Sequence, residues 1–282
     1  IGRAFSSMSS LPEIIKYISP GSKMPELREM ADKAPMRQSS RFPKNFEGEI
    51  RIENLIQKYP TQVKPVFNDF SVILKPGSTT VFTGTNGSGK TTLFSLITGL
   101  IAPSSGRVLI DGVNLEQIDQ SWWIQQIVAV PQEPEFFDGS MLSNLDLRGA
   151  KQSEGEIREA LASVGLGKFV DESPEGLDTT LGNPGNKFNL GFRKRLALAR
   201  ASLTNGKLVI MDEPTEGLDA TGSQLFYGYL NKAIKSAKTV VVLSHDPAII
   251  KGAGTLVNLD DTISSRQLSS LDKRQGQNNV VT

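Results

Sequence analysis

The sequence predicts an α/β protein built on a parallel sheet. Two continuous apolar runs, Leu208–Met211 and Thr239–Leu243, read as strands covered on both faces, as the inner strands of a parallel sheet are. A short apolar strand, a polar turn and a helix recur in that order along the middle of the chain. A glycine-rich loop, Gly84–Thr91, falls between one such strand and its helix.

Taken in order, Glu49–Gln57 alternates polar and apolar residues and reads as a half-buried strand. Phe67–Leu74 reads as a second strand, closed by Pro76-Gly77. Thr79–Thr83 is a strand and Thr91–Leu100 a helix. Val108–Ile110 is a strand ending in the Asp111-Gly112 turn, and Ile127–Val130 is a further short strand. From Met141 to Leu203 the pattern is mainly helical, with Glu154–Val164 amphipathic and Arg193–Leu203 basic at its start. Residues 1–45 are rich in Ser, Pro, Met and Lys and broken at Pro12, Pro20, Pro25, Pro35 and Pro43. Phe5, Met8, Leu11, Ile14, Ile15 and Ile18 recur there at helical spacing, so the segment reads either as a loose tail or as a connector leaving another domain. The polar end, residues 263–282, reads as a mobile tail.

Composition narrows the chemistry. Thirty-one basic against thirty acidic residues leave a formal charge of +1, which argues against gripping nucleic acid by bulk charge. The absence of cysteine excludes disulfides, thiolate metal sites and a cysteine nucleophile. The single histidine, His245, excludes a zinc site built from histidines and leaves carboxylates as the other general bases. No run approaches the ~18 apolar residues of a membrane span, so no direct membrane insertion is expected of this chain. It begins at Ile1 without a signal peptide and is read as a fragment of something longer, in a reducing compartment.

Gly84-Thr85-Asn86-Gly87-Ser88-Gly89-Lys90-Thr91 fits GxxxxGK[ST], with Thr92 next in the helix. Its glycines let backbone N–H groups turn toward phosphate oxygens, and the following helix aims its positive end at the same anion. Lys90 can reach the β- and γ-phosphates and the Thr91 hydroxyl can hold Mg²⁺. The strand Leu208–Met211 then runs into two carboxylates, Asp212 and Glu213. Beside a phosphate loop the aspartate orients Mg²⁺ and the glutamate can take a proton from an attacking water; alone, the pair would be a solvated acidic turn. His245 follows the strand Thr239–Leu243 and Gln132 follows Ile127–Val130. Four strand ends thus each deliver a polar group, where open α/β sheets bind ligands.

With Pro214-Thr215 and Gly217-Leu218-Asp219 added, this set resembles the nucleotide-binding domain of ABC transporters over residues 47–260. The resemblance implies a P-loop NTPase fold: a RecA-like parallel core sheet, an antiparallel β subdomain and a helical signature subdomain over about residues 133–204. The ATPase domain would span residues 46–262, with residues 1–45 as a linker or the end of a preceding transmembrane domain. It also implies ATP and Mg²⁺, and hydrolysis in a head-to-tail dimer in which each ATP lies between one subunit's Walker motifs and the other's signature loop. By the same resemblance Gln132 lies near Mg²⁺ and the transmembrane domain, Asp219 at the dimer interface, and His245 at the γ-phosphate. Tyr59 matches the aromatic residue that stacks on adenine; its plainer role is an ordinary buried tyrosine.

One departure stands out. Where the family carries LSGGQ, this chain has Phe188-Asn189-Leu190-Gly191-Phe192, and only Gly191 matches. Asn189 can donate to a phosphate or simply cap the helix. Leu190 puts a branched side chain where backbone must approach ATP closely, and Phe192 replaces the glutamine. Gly182-Asn183-Pro184-Gly185 lacks the acidic residue common in exporters. Arg193-Lys194-Arg195 opposes its own helix dipole and is expected to leave at least one side chain in water. The run Val130–Ser140 with Asn144-Leu145 looks like exporter domains. The expected function is ATP-driven export of an unidentified substrate, with a slight preference for protein or peptide, at the cytoplasmic face of the inner membrane. The expected partners are a transmembrane domain and a second ATPase domain, in a heterodimer or a slow homodimer. The alternative is a low-turnover, ATP-gated regulatory or assembly module.

Overall fold

A computed structural model describes residues 46–60, 62–146, 152–181 and 188–263. The expectations for residues 1–45, for Gly182–Gly185 and for the tail beyond 263 lie outside the described residues. Two sheets organise the rest. The parallel sheet has the order β6 (Ile127–Val130), β7 (Leu208–Asp212), β8 (Thr239–Leu243), β3 (Thr79–Thr83), β9 (Thr255–Asn258). The antiparallel sheet has the order β2 (Phe67–Leu74), β1 (Ile50–Gln57), β4 (Ser105–Ile110), β5 (Val113–Asn114). The mixed architecture is the α/β fold expected.

Every residue of β7 and β8 is buried, because the sheet is covered on both sides. Ile210, Val241 and Leu243 join one apolar cluster with Phe94, Trp123 and the antiparallel sheet's Ile50, Ile52 and Leu74. Val209, Met211, Val240 and Val242 point the other way, into a cluster with Ile157, Leu161, Leu196 and Phe226. The helices of that second layer are α3 (Met141–Leu145), α4 (Glu154–Ser163), α5 (Gly167–Glu172), α6 (Leu190–Ser202) and α7 (Ala220–Lys235). Helices α1 (Lys90–Thr98), α2 (Gln120–Gln126) and α8 (Pro247–Lys251) complete the set among the described residues. None of these helices is long and apolar enough to cross a membrane.

Helix α4 begins with a full capping box, Ser153 and Glu156 each bonding the other's backbone N–H. Helix α6 starts at Leu190, three residues before the expected Arg193, because Asn189 Oδ1 accepts from Phe192 N–H at 2.9 Å and caps it there. Helix α7 is capped likewise by Asp219, whose Oδ1 accepts from Gly222 N–H at 2.7 Å.

Candidate functional site

Strands β7, β8 and β3 are neighbours, so the residues leaving their C-terminal ends converge. Backbone bonds lace those ends together. Glu213 N–H donates to Leu243 O at 2.8 Å, and Ser244 N–H to Phe82 O at 2.9 Å.

The loop after β3 turns through left-handed backbone at Gly87 (φ 87°) and Gly89 (φ 98°). A Cβ on Gly89 would fall 2.7 Å from the Phe67 and Val66 side chains, so the position admits only glycine. Lys90 opens α1 and folds its ammonium back over the loop. Its Nζ donates to Gly84 O at 2.7 Å and to Thr85 O at 3.3 Å, and stands 3.4 Å from Glu213 Oε1. The Ser88 hydroxyl is buried within the loop with no hydrogen-bond partner. Asp260, just past β9, holds the loop from outside: its carboxylate accepts from Thr85 N–H and from the Thr85 hydroxyl, each at 2.9 Å.

Glu213 is the hub. Its Oε1 faces His245 Nδ1 at 2.9 Å, and its Oε2 accepts from Ser244 Oγ at 3.2 Å and His245 N–H at 3.3 Å. Which of the two atoms donates follows the imidazole tautomer, and a ring hydrogen on Nδ1 is the form that gives a carboxylate a donor there. The carboxylate is buried while the imidazole is 63% exposed, so the ring is open to a ligand from its other side.

Asp212 is wholly buried, and neither carboxylate oxygen has a hydrogen-bond partner. Burial pushes its carboxyl up to about 7; the neighbouring Thr91 hydroxyl pulls against that rise, Glu213 adds to it, and Lys90 and Lys194 oppose it. Thr91 is close enough to act on the carboxylate but closes no bond of ordinary geometry with it. Two unsatisfied carboxylate oxygens beside a hydroxyl are the hard oxygen donors that Mg²⁺ takes, so these residues fit the ion. No group of three acidic or histidine side chains that could hold a metal occurs among the described residues.

Lys90, Thr91, Asp212, Glu213 and His245 therefore stand together, with Gly84–Gly89 above them. Gln132 makes a separate contact, its Nε2 donating to Glu216 Oε2 at 2.6 Å. Tyr59 corrects its expectation in this structure. Its side chain is fully buried, with its hydroxyl 3.0 Å from Thr92 Oγ1, so no ring face is open for adenine to stack on. Thr92 is buried too, with its hydroxyl engaged in that contact.

The altered signature packs against its own chain. A Cβ on Gly217 would lie 2.9 Å from Leu190 Cδ2, so Leu190 leans on that turn. Phe192 stacks on Phe188 with ring centroids 4.3 Å apart, and Phe169 meets both edge-on. Asn189 serves as the helix cap. Asp219 pairs with Arg195 at 2.8 Å; the Gly222 N–H, then Arg195, hold its carboxyl below the usual range. Of Arg193-Lys194-Arg195, Lys194 is withdrawn from water, while Arg193 and Arg195 are half-buried and the Arg195 pair with Asp219 is an exposed one. Arg193 Nη1 donates to Pro134 O at 3.1 Å, Lys194 is fully buried with its Nζ on Glu213 O, and Arg195 takes Asp219. With α6 starting at Leu190 these residues sit past the helix's first exposed N–H groups, so each cation reaches a carbonyl or a carboxylate instead.

Sequence reasoning missed Lys194, Ser244 and Asp260. Ser244 adjoins His245 and was findable by position; nothing local marks the other two.

The family model for "ABC transporter" matches residues 67–216, more than half of the 282 residues. The chain is 31% identical over 266 residues to the mouse mitochondrial ATP-binding cassette sub-family B member 10, covering 92% of this chain and 37% of that protein. It is 34% identical over 210 residues to an ATP-dependent lipid A-core flippase of Chromobacterium violaceum, covering 74% of this chain and 36% of that protein. It is 29% identical over 265 residues to the human mitochondrial potassium channel ATP-binding subunit, covering 93% of this chain and 36% of that protein. The chain thus spans little more than a third of the length of these relatives. A bacterial Atm1-family ABC exporter with ATP bound shares the fold, with a TM-score of 0.68 at 23% identity, over 86% of this chain and 44% of that one. The chain belongs to the ABC transporter family, as its ATPase domain, similar to the domains of exporter-type members.

Proposed function

We propose that this domain binds ATP on the Gly84–Thr91 loop and hydrolyses it with Glu213 as general base, driving export by a transmembrane domain. The observation that supports this best is the convergence of Lys90, Asp212, Glu213 and His245 at three adjacent strand ends. The partners of Lys90, two carbonyls and a carboxylate, are oxygens of the kind a β- or γ-phosphate offers, which supports its role as the cation that meets those phosphates. Thr91 and Asp212 would hold Mg²⁺, with Gln132 nearby, and the ion would neutralise charge on the phosphates. Glu213 accepts the water's proton, a contribution of ~10²–10⁴-fold. His245 Nδ1–H fixes the carboxylate, and its exposed ring is free to meet the γ-phosphate.

The wider reading is ATP-driven dimerisation with a second ATPase domain, carrying Asn189–Phe192 and Asp219 to the interface. A heterodimer whose partner supplies an intact signature fits this chain's sound Walker residues best; a slow homodimer is the other form. Similarity to exporters supports a membrane location for the assembly, and we assign it to the cytoplasmic face of the inner membrane. The preference for a protein or peptide cargo rests on the exporter-like run Val130–Leu145 alone, since one relative is named for lipid A-core. A low-turnover regulatory module is the second reading. It is favoured by the aromatic packing of Phe192 and by the relative named as a potassium channel subunit. Steady-state ATPase of the full transporter with its partner ATPase domain, with Glu213→Gln as control, separates the two. The proposal requires hydrolysis by the parent and its near loss in the variant with ATP binding kept; equal, vanishing rates in both leave the regulatory reading standing.

A further inference from the structure

Lys194 is a costly side chain to place where it is. Its relative exposure is 0%, and taking an ammonium out of water costs several kcal/mol unless partners compensate. A leucine or methionine would fill the same space without that cost. What the lysine gains is a hydrogen bond from Nζ to the carbonyl oxygen of Glu213. Glu213 has φ of 43°, a left-handed conformation that a non-glycine residue holds only when its surroundings enforce it. Its N–H is fixed by Leu243 O, and its carbonyl accepts from Lys194 Nζ and, at 3.3 Å, from Glu216 N–H. Rotation of that backbone would swing the carboxylate away from His245 and Lys90.

The neighbours of Lys194 make the same kind of contact. Arg193 takes Pro134 O in the segment after Gln132, and Arg195 takes Asp219. One stretch of α6, directly after the altered signature, thus grips the segments that follow both β6 and β7.

We propose that Lys194 is a positioning residue for ATP hydrolysis: it holds the catalytic glutamate's backbone so that the carboxylate stays on His245 and Lys90, and it ties that geometry to the start of α6. This rests on the reading of Glu213 as the base. Lys194→Met removes the charge and the donor; Lys194→Gln keeps a donor without the charge. Both are compared with the parent and with Glu213→Gln in the full chain by kcat and KM for ATP. A fluorescent ATP analogue in EDTA gives nucleotide affinity, and thermal unfolding gives stability. Misplacing a reacting group by about 1 Å costs on the order of 10²-fold, so Lys194→Met loses about that in kcat with KM and analogue affinity unchanged, and Lys194→Gln recovers most of the rate. Parent-like kcat in Lys194→Met overturns the inference while the base assignment stands. So does an equal loss in both variants, or a loss that follows affinity and unfolding temperature together, as a purely structural role would give. If Glu213→Gln hydrolyses as fast as the parent, the base assignment fails first and the inference falls with it.

Discussion

Asp212→Asn should make the metal-free protein more stable and lose metal-dependent nucleotide binding. The Asp212 carboxyl is buried without a hydrogen-bond partner, and burial, opposed by Thr91, raises it from 3.8 to about 7. That is about three units, which at about 1.36 kcal/mol each is on the order of 4 kcal/mol. The sign follows from proton binding. Unfolded, the group ionises near its model value; folded, it keeps its proton to about 7. The folded state binds the extra proton, so stability falls as pH rises from about 4 to about 7, and the full penalty stands above that range. Asparagine has no such titration. Urea unfolding in EDTA, parent against variant, should therefore show a gap that widens by about 3 kcal/mol between about pH 5 and about pH 8. Titrating groups remote from Asp212 are common to the two proteins and cancel, which leaves the site's own charges, Glu213, Lys90 and Lys194, coupled to the change. Parallel pH profiles would refute the reasoning, since they would mean that Asp212 is solvated or paired in the folded chain. With Mg²⁺ and ATP added the order reverses: the parent gains stability through binding and the variant does not.

Lys90→Ala removes the cation from Gly84 O, Thr85 O and Glu213, and ATP affinity and turnover should both collapse in a filter-binding and phosphate-release assay. His245→Ala should lower kcat while leaving ATP affinity near the parent's, because the ring orients Glu213 rather than holding the loop; a loss confined to unfolding temperature would make it a packing residue. Replacing Asn189, Leu190 and Phe192 by Ser, Gly and Gln should raise ATPase activity of the chain alone. It should also lower stability on the order of 3 kcal/mol, since the stack on Phe188 and the contact with Gly217 go with the side chains. Unchanged turnover in that variant would mean that the altered signature is merely tolerated.

Where the sequence read well, the signal was local. The bounds of β2, β3, β6 and β8 match their apolar runs because each run is closed by its own turn residues. The phosphate loop was legible because its glycines, its lysine and its threonine are consecutive. Helix α7 was not foreseen: only Gly222, Phe226, Leu230 and Ala233 are buried along it, too sparse an apolar stripe to stand out beside two glycines. Strand β9 was missed because it is an edge strand with no buried residue.

By itself, then, the sequence determined the α/β class and which strands end in the glycine-rich loop, the paired carboxylates, the histidine and the glutamine. Periodicity, turn residues and motif spacing depend on near neighbours in the chain. Tertiary structure alone decided what each polar side chain bonds: that Tyr59 is packed rather than open, that Asp260 grips Thr85 across 175 residues, and that Lys194 is buried under Glu213. Those pairings follow from which groups are left without water when the layers close, and a buried polar group must take whichever partner the packing brings within reach.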